Sequence, residues 1–101
     1  MLLIFTTVGT EADARHIART LVGERLCACA QIDRIDSVYR WNGQVCEEPE
    51  WRVLFKTMPD RADKLQSRLL ELHPYDLPAV YTVQPDAVSP AFAQWVEDET
   101  R

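Results

Sequence analysis

The residues of this chain best equipped for chemistry sit in one run, Glu71-Leu72-His73-Pro74-Tyr75-Asp76-Leu77-Pro78. An imidazole, a phenol and carboxylates gather there on a loop that Pro74 and Pro78 hold in shape, as a binding loop requires. His73 also falls at the end of a helical stretch, where the negative end of the macrodipole favours imidazolium, so a helix cap is its simpler role. Three cysteines add soft donors. Cys27 and Cys29 are two apart in a strand-like stretch, which turns both sulfurs to one face and permits joint contact with a soft ion such as Cu(I). Two ligands do not close a tetrahedral site, so Cys46, His73 or a neighbouring chain would have to complete it. Interior packing explains the same thiols without a metal. The acidic run Glu47-Glu48-Pro49-Glu50 offers oxygen donors to a hard cation, or simply solvates and blunts a sheet edge.

Other chemistries find no support. Ser37, Ser67 and Ser89 show no nucleophile-elbow pattern, and Gly9, Gly23 and Gly43 stand alone, so neither covalent catalysis nor a phosphate-cradling loop is written here. The chain reads as a non-enzyme. Its net charge of -5 argues against nucleic acid, which demands clustered Lys and Arg. The opening run Leu2-Leu3-Ile4-Phe5 has no basic residues before it and is too short for a leader or a membrane span. That places the protein in the cytosol, with its thiols reduced and no membrane partner.

The elements that must position these groups follow from hydrophobic period. Residues 1–8 are a continuous apolar and β-branched run, the mark of a central strand covered on both sides. Thr10 with Asp13 resembles a capping box, and Ala14, Ile17, Ala18, Leu21 and Val22 then recur at helical spacing up to Gly23. Residues 27–41 lack a helical period, and Asn42-Gly43 supplies the two positive φ angles of a tight hairpin turn. The two-residue phase of this strand slips near Asp33-Arg34, which predicts a bulge. The return strand, from about Glu50 to Met58, leads through Pro59-Asp60 into a helix with Ala62, Leu65, Leu69 and Leu72 inward, stopped by Pro74. Residues 79–83 form a last strand. Ser89-Pro90 then starts a short helix with Phe92, Trp95 and Val96 inward.

The order βαββαβ plus a C-terminal helix predicts one α+β domain over residues 1–101, a ferredoxin-like split βαβ with helices on one sheet face. A strand of about 15 residues spans roughly 50 Å, yet a compact chain of this length is only about 33 Å across. The long central hairpin must therefore overhang its own core. Carrying Tyr39, Trp41 and Trp51, it exposes aromatic surface and open strand edges that another copy of the chain would cover.

Several spaced motifs, in order, resemble the CutA divalent-cation tolerance family. They are Glu24-Arg25-Leu26 with Ala28-Cys29, Ser37-Val38-Tyr39-Arg40-Trp41 with Gly43, Lys56-Thr57, and Glu71-Leu72-His73-Pro74-Tyr75 with Pro78-Ala79. The resemblance implies a PII-like fold assembled as a homotrimer through long strands, and a role in tolerance of copper or other divalent cations. It implies His73 and Cys29 as metal ligands, and Tyr39, Trp41, Glu50, Lys56 and Tyr75 as lining an intersubunit cleft. The chain departs from some members in carrying Thr6 and Leu72 where those have a cysteine and a second histidine. A second reading is a PII-like module binding a small anionic metabolite, with Lys56 and Arg40 as countercharges and Tyr39 or Trp41 stacking.

Overall fold

The computed structural model describes residues 1–101. Seven elements follow one another: β1 (Leu2–Val8), α1 (Glu11–Gly23), β2 (Cys29–Trp41), β3 (Gln44–Thr57), α2 (Pro59–Leu72), β4 (Tyr81–Val83) and α3 (Pro90–Glu99). The four strands form one sheet in the order β2-β3-β1-β4 with every neighbouring pair antiparallel, the ferredoxin-like arrangement.

Local chemistry accounts for the helix starts. Thr10 Oγ1 accepts the Asp13 N–H at 3.1 Å, and Ser89 Oγ accepts the Phe92 N–H at 3.3 Å with Pro90 in the first helical position. α1 ends with Arg25 in the left-handed region at φ 61°, where its N–H reaches the Val22 carbonyl and its guanidinium donates to the carbonyls of Asp98 and Arg101. That guanidinium and Arg61, which donates to the Thr100 carbonyl at 2.6 Å, tie the end of α3 to the body of the fold.

The core lies between α1, α2 and one sheet face. Ile4, Val8, Val53 and Phe55 are fully enclosed against Ile17, Leu21, Leu65 and Leu69. The other face of β1 is only half covered within the chain, so β1 is central in the sheet but not sandwiched as the unbroken apolar run predicts. There Phe5 stacks on Tyr81, with ring centroids 5.2 Å apart.

The β2–β3 hairpin is the longest feature. Asn42 (φ 50°) and Gly43 (φ 74°) close a two-residue turn between the paired Trp41 and Gln44. Gly43→Ala is expected to cost about 1 kcal/mol, because a Cβ there is free of contacts and only the left-handed φ opposes it. An unchanged denaturation midpoint would show that the tip is not held in this turn. The molecule measures 45 × 26 × 21 Å, so the hairpin does overhang the core.

Several expectations are corrected. The hairpin register runs unbroken from Cys29↔Lys56 to Trp41↔Gln44, so no bulge exists at Asp33-Arg34. What changes there is the covered face: Ala30 and Ile32 pack under the helices, whereas beyond them Ile35 and Ser37, on the opposite face, become the sheltered side chains. β2 begins at Cys29, leaving Cys27 ahead of the strand and 1% exposed, so the two thiols do not share a strand face. β3 begins at Gln44 rather than near Glu50, and the acidic run is part of the strand. Pro49 is tolerated because β1 has ended, at Val8 opposite Trp51, leaving β3 one neighbour. β4 is three residues long, and in α3 only Val96 is buried while Phe92 and Trp95 stack on each other in the open.

Candidate functional site

The candidate site is built where β1 stops and the hairpin continues. Beyond Val8 the sheet lacks its third strand, and the segment after α2 folds across the vacated place. His73 anchors it. Its ring is buried, Nε2 lies 3.0 Å from both Thr6 Oγ1 and the Thr7 carbonyl oxygen, and Nδ1 accepts the Tyr75 N–H at 3.1 Å. A carbonyl only accepts, so Nε2 carries the proton and the imidazole is the neutral tautomer. Burial pushes its pKa below the usual histidine value, although the Thr7 carbonyl partly opposes this.

Anchored this way, the loop aims Tyr75 across the end of β1. Its hydroxyl donates to Glu50 Oε2 at 3.0 Å. Gly9 makes the approach possible, since a Cβ at that position would lie 3.1 Å from the Tyr75 oxygen. Burial first, and then the Glu50 carboxylate, push the Tyr75 phenol up to about 12. On the hairpin the Tyr39 hydroxyl donates to Glu48 Oε2 at 3.0 Å, and that bond raises the Tyr39 pKa as well. Both phenols are therefore neutral donors at physiological pH.

The register explains why these groups meet. Ile35 faces Glu50, Ser37 faces Glu48, Tyr39 faces Cys46 and Trp41 faces Gln44, and side chains two apart share a face. Glu48, Glu50, Tyr39 and Trp41 thus project from the sheet face opposite the helices. With Pro74, Tyr75, Asp76 and Leu77 they bound an open cleft of about 480 Å³. Three carboxylates line it and no Lys or Arg does. A second, shallower groove of about 410 Å³ runs between α1 and the β2 edge, beside Arg15 and Arg19.

Of the residues singled out in the sequence, the fold brings Tyr39, Trp41, Glu50 and Tyr75 together. Within one chain it separates the others. Lys56 is six residues along β3 from Glu50, about 20 Å away, with its ammonium over the Phe92 ring. Cys29 pairs with Lys56, three positions along the sheet from the Thr6 level and on the face opposite Thr6, so it does not meet His73 within one chain. Both nitrogens of His73 already have partners. Nowhere in the chain do three His, Cys, Asp or Glu side chains converge as a metal cluster. Glu48 and Asp76 were absent from the set implied by the resemblance. The signal for Glu48 was available: with the turn at Asn42-Gly43, positions 48 and 50 must share a face with 39 and 41.

A family model described as CutA1 divalent ion tolerance protein matches residues 2–99. The divalent-cation tolerance protein CutA of Pyrococcus horikoshii is 35% identical over 101 residues, covering 100% of this chain and 99% of that protein. Among solved structures, CutA1 from the same organism superposes with a TM-score of 0.96 at 34% identity, covering 100% of this chain and 99% of the other. CutA from Synechococcus elongatus does so with 0.96 at 38% identity, covering 99% and 89%.

Proposed function

We propose that this chain, which belongs to the CutA1 divalent ion tolerance family, is a non-catalytic homotrimer that takes a divalent cation weakly into the cleft beside Glu48 and Glu50. One observation carries the reading: three carboxylates and no basic side chain line the cleft. Oxygen donors of this kind suit hard divalent ions and Cu(II) better than Cu(I), which prefers sulfur. Weak binding fits two carboxylates each engaged by a tyrosine hydroxyl at 3.0 Å, which an arriving ion must displace. The same charge disfavours a small anion, and within one chain Lys56 lies about 20 Å away along β3.

Trimer formation is supported by the overhanging hairpin and by the apolar side chains left open, among them Val38, Tyr81 and Trp95. Three free thiols fit the reducing cytosol as its compartment, and no helix is long and apolar enough to cross a membrane.

Calorimetry with Cu(II) and Zn(II) on the wild type and on Glu50→Gln, His73→Ala and Cys29→Ser tests the site. Glu50→Gln is expected to weaken binding about tenfold, the loss of roughly 1.4 kcal/mol from one charged ligand, and Cys29→Ser to leave it unchanged. A loss confined to His73→Ala or Cys29→Ser would move the ion to those residues. No heat with either ion would end the reading.

A further inference from the structure

The cleft is larger than a metal ion needs, and its aromatic lining has no part in holding one. At about 480 Å³ it has the volume of a small-molecule site. Tyr39, Trp41 and Tyr75 bring three rings to it, each with more than a third of its surface open. Ring faces attract cations, most strongly when the cation is large and weakly hydrated. The Tyr39 and Tyr75 hydroxyls donate hydrogen bonds to Glu48 and Glu50, which leaves the phenols neutral and sets each carboxylate beside a ring. An apolar guest would bury three carboxylates without a countercharge, and an anion would be repelled by them. Only a guest that is both positive and apolar-bodied uses every wall.

We propose that the cleft binds a small organic ammonium ion, its charge set between the rings of Trp41 and Tyr39 and the carboxylates of Glu48 and Glu50. This ligand shares the cleft with the divalent cation but not its chemistry, so either reading can fail alone. Trp41, 50% exposed near the hairpin tip, serves only the organic ligand, whereas Glu50 serves both.

The test is calorimetry on the assembled protein in the presence of excess chelator, with choline as the probe and 3,3-dimethylbutan-1-ol as its uncharged isostere. Choline is expected to bind saturably and the alcohol not. Trp41→Leu and Glu50→Gln should each weaken choline binding about threefold to thirtyfold, the range that a cation–ring contact spans. With the chelator omitted, Zn(II) binding should survive Trp41→Leu and fall in Glu50→Gln. Melting temperatures within a few degrees of wild type confirm that both variants fold. The proposal is overturned by the absence of saturable choline binding, by equal binding of the alcohol, or by wild-type choline affinity in both folded variants. Loss of choline binding with Zn(II) binding intact would leave the divalent reading standing alone.

Discussion

Replacing Phe55 by alanine is expected to lower the free energy of unfolding by about 3–5 kcal/mol. Phe55 is fully buried on β3, the strand flanked by both β1 and β2, with Ile4 and Ala30 as its cross-strand neighbours. Removing the ring loses its transfer free energy and opens a cavity beneath α1 and α2 that enclosed neighbours such as Leu21 and Leu65 cannot collapse to fill. A small domain has only about 5–15 kcal/mol of stability in all, so the variant stands near the edge of folding. Guanidinium denaturation at fixed protein concentration measures the effect, with Leu70→Ala as the comparison. Leu70 lies on α2 with 55% of its surface open, and its truncation should change stability by no more than about 0.5 kcal/mol. Similar losses in the two variants would mean that this core does not carry the fold.

The second large effect belongs to His73. His73→Ala leaves the Tyr75 N–H, the Thr6 hydroxyl and the Thr7 carbonyl without their shared partner, at about 1–3 kcal/mol. It should also release the loop and break the Tyr75–Glu50 bond. The pH dependence has a definite sign. Burial lowers the folded-state pKa below the unfolded value of 6.5, so the unfolded chain takes up the proton first. The contribution is complete above pH 6.5 and is lost as pH falls through the folded-state value. Denaturation curves between pH 7.5 and 5 should show wild type losing stability toward acid, and His73→Gln losing less. Parallel slopes would show that the imidazole is not held neutral.

Much of this was written in the chain because local chemistry and tertiary context agree. Thr10, Asn42-Gly43 and Ser89-Pro90 each need one conformation, and each adopts it. Where context decides, the sequence misleads for a physical reason. The phase slip in β2 looks like a bulge because hydrophobic period reports which face is covered, not whether the ladder is continuous. Phe92 and Trp95 look like core residues, yet α3 turns them outward and is held largely through its carbonyl end, by Arg25 and Arg61. That Tyr39, Trp41, Glu50 and Tyr75 share a cleft was implied by the resemblance to the CutA family, and the fold does place them around one opening. That Lys56 stands apart from them within the chain follows only from counting along β3, and that both nitrogens of His73 are engaged follows only from the loop's path over Thr6 and Thr7.

The unbroken register of the β2–β3 hairpin also limits how its length can vary in descendants of this chain. Paired residue numbers sum to the same value from one end of the ladder to the other. A single residue added to β2 between Ser37 and Tyr39 would turn every side chain beyond it to the other face, and Tyr39 would part from Glu48. Two residues added to each arm just beyond Tyr39 and Cys46 would spare those pairs, keep Trp41 on its face and move the tip outward by about 6.6 Å. Insertions and deletions in this hairpin are therefore tolerated in matched pairs, as if its length were counted in rungs.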